Sequence, residues 1–206
     1  MDEDEMALSP AETLRLIERQ EAETVRAFKG DPLLLYAPWG VAWLIGFGAL
    51  FLAYGLDGVP YAPISQDAAA TVLMGIQLFS GTAAAFGIFR AQGNSRGQLA
   101  SKSRMYLTTW IAGMVLMTTI GLRFGPMLPS TESGLFWAAS SLLVVGVLYM
   151  AGGAIWMEST MFRFGLWAVA VTAVGVVLGP GWHALLTAVL LGAGQIVLGV
   201  WLKVRG

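Results

Sequence analysis

The chain of 206 residues carries 12 Lys and Arg against 13 Asp and Glu, a single His and no Cys. Hydrophobic residues make up 56% of it and charged residues 12%, about half the roughly 25% charge of an ordinary soluble domain, too few to cover that much apolar surface in water. Without Cys there is no disulfide framework, thiolate metal site or thiol chemistry, and a charge balance near zero excludes the basic footprint of a nucleic-acid-binding protein.

Residues 1–35 differ in kind from the remainder of the chain. They hold nine of the 13 acids (Asp2, Glu3, Asp4, Glu5, Glu12, Glu18, Glu21, Glu23, Asp31) and the bases Arg15, Arg19, Arg26 and Lys29. An acidic start lacks the basic lead of a secretory signal, so no cleaved leader is expected. Ser9-Pro10-Ala11-Glu12 reads as a helix start, with Ser9 as N-cap and Glu12 closing a capping box. Gly30 and Asp31-Pro32 stop the helix, which therefore covers about 10–29. Leu14, Ile17, Val25 and Phe28 form a thin apolar face that calls for a partner, and residues 10–29 are the expected contact for a partner protein.

From Tyr36 onward there are six apolar segments, over about 36–56, 68–89, 105–122, 134–156, 161–178 and 182–202. Each approaches the 20 or so residues that cross a ~30 Å hydrocarbon layer as a helix. The fifth is the weakest, with Arg163 near its start and Gly165 inside it. The expected fold is an all-α membrane protein, a bundle of six transmembrane helices (36–206) behind a short cytosolic amphipathic helix. Eleven of the 12 bases fall on one face: the arm, the Arg90–Arg104 connection, Arg163, Lys203 and Arg205. Only Arg123 falls on the other. The positive-inside rule then places both termini in the cytoplasm. Trp39, Trp43, Trp110, Trp156, Trp167 and Trp201 lie toward the inner interface, and Trp137 and Trp182 toward the outer, as an aromatic belt requires. The Arg90–Arg104 connection sets topology and is also placed to meet anionic headgroups or the acidic arm.

A weak internal echo joins the third and fifth segments. Thr118-x-x-Gly121-x-x-x-Gly125-Pro126 and Thr172-x-x-Gly175-x-x-x-Gly179-Pro180 share one pattern, each leading into an aromatic-headed helix (Phe136-Trp137, Trp182-His183). A duplicated helical hairpin would give such a parallel repeat; a common Gly-Pro helix end is the plainer account.

No ionisable group lies deep in a span, which disfavours proton relays and intramembrane hydrolases. No metal site, catalytic motif or dinucleotide fingerprint is present, and no cofactor is expected. The polar groups within spans are Gln77, Gln195, Thr118, Thr119, Ser140, Ser141 and Tyr149. They read as interhelical glue or, more sharply, as a polar seam lining a pathway. Ala184, Ala188, Gly192, Gln195 and Gly199 make a narrow stripe on the last helix, and Ala168, Thr172, Gly175 and Gly179 another on the fifth, suiting close helix contact. His183 falls at the outer face, where it supplies an interfacial imidazole or a substrate contact.

Asp31-Pro32 with Tyr36-Ala-Pro-Trp-Gly40, Val147-Leu-Tyr-Met-Ala-Gly-Gly153 and Gly179-Pro-Gly-Trp-His183 resemble a group of uncharacterised multi-pass membrane proteins of high-GC Gram-positive bacteria. The resemblance implies a bacterial cytoplasmic membrane and no activity. The leading expectation is a non-enzymatic accessory or regulatory membrane subunit. A permease or channel for a neutral or weakly polar small molecule or lipid comes second, and an enzyme acting on lipid third. Besides the lipid bilayer and the protein partner, an oligomer is left open.

Overall fold

The computed structural model describes residues 9, 11–16, 32–92 and 98–205, with side chains described except at 32, 34–35, 83–92 and 98–100. These residues are helical almost throughout, with no strand among them. The helices are α1 (Pro32–Tyr54), α2 (Gln66–Gln92), α3 (Gln98–Phe124), α4 (Ser130–Ile155), α5 (Ser159–Leu178) and α6 (Pro180–Arg205). Five of them, all but α2, are long and apolar enough among the described residues to cross a membrane.

Helix ends obey local chemistry. The helical segment at residues 11–16 is fronted by the expected capping box: the Ser9 amide donates to Glu12 Oε2 at 2.9 Å and the Glu12 amide to Ser9 Oγ at 3.3 Å. The rest of the expected 10–29 helix lies outside the described residues. α1 stops at Tyr54, two residues short of the expected end, because Gly55 turns the chain with φ +62°, a conformation that favours glycine. Glu158 caps α5 by accepting from the Thr160 amide at 3.2 Å, a role that its acidity suits at a helix N-terminus. Gly179, at φ +101°, separates α5 from α6, and the His183 amide bonds its carbonyl at 2.9 Å.

Spatial order is not chain order. α1 packs against α2 on one side and along the whole of α6 on the other; α6 leans on α5, α5 on α4, and α3 on α4. The core lies between α1, α5 and α6, where Trp43, Phe47, Leu50, Phe164, Ala168, Ala188 and Leu191 are buried. Trp43, expected in the interfacial belt, is thus a core residue. α3 leaves Leu107, Ile111, Val115, Leu116 and Ile120 uncovered.

Glycines set the closest approaches. A Cβ on Gly192 of α6 would lie 2.6 Å from the Leu44 nitrogen of α1, and one on Gly40 of α1 would lie 2.7 Å from the Gly192 carbonyl oxygen. α4 and α5 meet in the same way: a Cβ on Gly165 would lie 2.7 Å from the Met150 nitrogen, and one on Gly146 3.1 Å from the Gly165 oxygen. Gly165, which weakened the reading of the fifth span, is the contact that docks it. In lipid there is no hydrophobic drive between helices, so such backbone approach is a main source of association.

The echoed glycines play matching parts. Gly121 faces the Trp137 ring and Gly175 faces His183, each the second residue of the aromatic pair in the next helix.

Gly192→Val should destabilise the detergent-solubilised protein by about 3 kcal/mol, the upper range for overpacking, because the atoms met are backbone. Gly194, with nothing within 4 Å of a Cβ, should accept Ala with a gain of about 0.5–1 kcal/mol. Equal midpoints for the two variants in thermal unfolding would refute this packing.

Ser9 holds the Glu12 carboxyl below the ordinary carboxylate range, first through its side chain and then through its backbone. A depressed value means that the capping contribution is complete above the free glutamate value and fades as pH falls through the lowered one. The Ser9 amide resonance should therefore titrate with a midpoint below that of a free glutamate; a midpoint at or above it refutes the box.

Candidate functional site

The polar groups expected to share one seam are divided among separate faces. Gln77 lies half-buried on α2, a helix that packs on α1. Thr118 and Thr119 are exposed on α3, and Thr119 returns its hydroxyl to the Val115 carbonyl at 2.8 Å. Ser140 and Ser141 are half-buried on α4, with Ser141 Oγ donating to the Trp137 carbonyl at 2.7 Å. Tyr149 belongs to an aromatic row: its ring centroid lies 5.3 Å from Phe164 and 6.2 Å from Trp110. The helix that carries each group was legible from position; the side of the helix on which it falls was not.

Gln195 belongs to a different assembly. Thr172 on α5 and His183, Thr187 and Gln195 on α6 are 6%, 2%, 0% and 0% exposed. Thr172 Oγ1, His183 Nε2, Thr187 Oγ1 and both amide atoms of Gln195 have no hydrogen-bond partner. Contrast makes this informative. Exposed Thr71, Thr82, Thr108, Thr109 and Thr119 all bond the carbonyl four residues earlier in their own helix, the usual recourse of a helical threonine. Thr172 and Thr187, sealed inside, do not. A buried polar atom without a partner costs about 1–3 kcal/mol, and four buried side chains in that state on two packed helices are an exception that demands a reason.

His183 is not at the surface. Gly175 makes its burial possible: a Cβ there would lie 2.8 Å from the His183 Cα and 2.9 Å from its Cδ2. On the α1 side the ring meets Phe47 edge-on, centroids 6.1 Å apart. Above it, Gly181 packs directly on the Gly55 carbonyl. The 55–65 loop is held there by the Tyr61 amide on the Leu52 carbonyl (2.9 Å) and by the Leu56 amide on the Tyr61 hydroxyl (3.3 Å).

α6 is not a regular helix through this region. Residues Thr187–Ala193 form a π-helical segment, a local widening frequent at functional sites. Its exit skips a carbonyl: the Gly194 amide bonds Leu191 and Val189, and the intervening Leu190 carbonyl instead accepts from Trp167 Nε1 of α5 at 3.4 Å. The widened turn begins at Thr187 and ends two residues before Gln195, so unpaired side chains stand on both sides of it.

Among the packing residues, Ala184, Ala188, Gly192 and Gly199 of α6 and Gly175 of α5 are buried. Gly179 is different: nothing lies within 4 Å of its Cβ position and its role is the turn. Sequence reasoning missed Thr187 altogether. Its signal was the spacing His183-x-x-x-Thr187, one helical turn, which puts both on one face. Thr172 was read as a small residue of a packing stripe and as the start of the Thr-x-x-Gly echo.

Comparison with protein families, with curated proteins and with solved structures finds no match for this chain.

Thr187→Val keeps the volume and deletes an unpaired hydroxyl. The ligand-free protein should be unchanged or up to about 1–2 kcal/mol more stable by chemical unfolding in detergent. A loss beyond about 1 kcal/mol would mean that the hydroxyl has a partner.

Proposed function

We propose that the chain is a six-span protein of the bacterial cytoplasmic membrane with both termini inside, and that its α1–α5–α6 seam binds and passes a small uncharged hydrogen-bonding solute. The positive-inside distribution supports the orientation, and Arg205 stacking on Trp201 at 4.4 Å suits an anchor at the inner interface. One observation carries the functional reading: four buried polar side chains, each with an atom that has no hydrogen-bond partner, set along the middle of a bundle. His183 and Gln195 are separated by roughly 18 Å at 1.5 Å per residue, more than half of a ~30 Å hydrocarbon layer. Their groups are neutral hydrogen bonders of the kind that lines selective pores for uncharged solutes. Among the described residues no charged side chain is buried, so an ion would travel without a counter-charge, which low dielectric penalises heavily.

Stopped-flow measurement on proteoliposomes tests this. With water, glycerol and urea as probes, at least one should cross faster than through protein-free vesicles. Gln195→Leu should slow that flux about tenfold or more, the effect of an obstructed or unpaired polar step worth about 1.4 kcal/mol. Gln77→Leu, on the far side of α1, should leave it unchanged. Rates equal to empty vesicles for all probes would refute transport.

A second reading, an accessory or regulatory subunit engaging a partner protein through residues 10–29, draws on Leu14 and Leu16. Both are apolar and exposed, at 60% and 43%. Removing residues 1–30 separates the readings, because seam transport does not need the arm.

A further inference from the structure

The part of the seam nearest the 55–65 loop is organised more tightly than the rest. Gly175 lets the imidazole of His183 lie against the α5 backbone, with Cδ2 the ring atom facing it. Nε2, the atom without a partner, is bonded to this Cδ2. Thr172 is one turn from Gly175 along α5, and Thr187 is one turn from His183 along α6, in the same direction because the helices run antiparallel. Three unpaired polar atoms therefore come from adjoining turns of two facing helices, with Phe47 beside them and the Gly181–Gly55 contact closing one end.

The Thr187 amide bonds the carbonyls of both His183 and Ala184, while its hydroxyl is left without a partner just where the π-helical segment begins. We propose that Thr172, His183 and Thr187 form a subsite for a small uncharged hydroxyl compound, a short polyol, recognised through one or two of its hydroxyl groups. The proposal rests on the reading of the seam as a solute path and names the class of solute for it.

Chemistry selects the hydroxyl. Each of the three groups can present a donor or an acceptor, the threonines by rotating and the imidazole by choice of tautomer. A hydroxyl can accept from one of these groups while donating to another, so a single ligand atom joins two of them in either arrangement, whereas a carbonyl only accepts and an amide N–H only donates. The threonine methyls and the Phe47 ring offer apolar surface to the C–H groups of such a molecule. A cation finds no carboxylate, since no buried side chain among the described residues is charged. An anion finds only neutral donors.

The chain has a single histidine, which makes the test direct. Full-length protein carrying ring-15N histidine, held in lipid nanodiscs, gives one pair of ring nitrogen signals. Titration with glycerol should move them saturably, whereas urea and NaCl at the same concentrations should not. Thr172→Val and Thr187→Val should each weaken the glycerol response about tenfold, the loss of roughly one hydrogen bond, and Thr187→Ser should restore it.

A linear, unsaturable drift overturns the proposal, as does an equal response to urea or NaCl, or a full response in the double valine variant. Glycerol flux in proteoliposomes keeps the two ideas apart. Saturable binding without flux removes transport and leaves the subsite; flux with silent ring signals removes the subsite and leaves transport.

Discussion

Backbone-to-backbone contact at glycine is what the rest of this bundle depends on. Where α1 crosses α6, Gly40 and Gly192 bring the two main chains so close that a methyl on either would meet a backbone atom of the other helix at 2.6 to 2.7 Å. Gly146 and Gly165 do the same for α4 and α5. In water such pairs would be one feature among many, because burial of larger side chains supplies most of the association energy. In lipid that term is nearly absent, and close van der Waals approach takes its place. The order α2–α1–α6–α5–α4–α3 reflects which helices carry glycine on facing sides.

The same closeness explains how polar groups come to be sealed inside. Gly175 leaves room on α5 for the ring of His183 on α6. The π-helical widening at Thr187–Ala193 changes the azimuth of everything after it, since one extra residue per turn rotates the next face by about 100°. Gln195 lies beyond the widening and is fully buried. Trp167 takes the Leu190 carbonyl that the widening skips, so the irregularity is supported by a side chain of the neighbouring helix. A helix interrupted and repaired in this way is tolerated within a membrane only where other protein groups satisfy the freed backbone. The side chains along it receive no such repair.

How far the chain could be read without coordinates depends on the kind of statement. The capping box at Ser9 and Glu12 was legible because it is a contact over three residues. The helical character and the apolar length were legible because both are local sums. Gly165 was read as a weakness and proved to be a contact, and Trp43 was read as an interfacial anchor and proved to be core. Both errors share a cause: a residue's value in a bundle depends on what stands opposite it. The expected seam of Gln77, Gln195, Thr118, Thr119, Ser140, Ser141 and Tyr149 is spread over four helices, since similar positions along different helices do not make neighbours. Thr187 was hidden among apolar residues, and only the missing partner of its hydroxyl singles it out.

What the amino-acid order determined alone is therefore one-dimensional: that the chain folds as helices, about where each lies, and that most of them are apolar enough to cross a bilayer. These properties arise within a turn or two of the chain, from caps, hydrogen-bond periodicity and transfer energy summed along a segment. Which faces meet, how His183 comes to lie 2% exposed beneath a loop from elsewhere in the chain, and why five polar atoms stand without partners were decided by tertiary packing. The physical reason is that helix rotation is set by contacts between segments far apart in the chain, and a single π-helical turn alters it for every later residue.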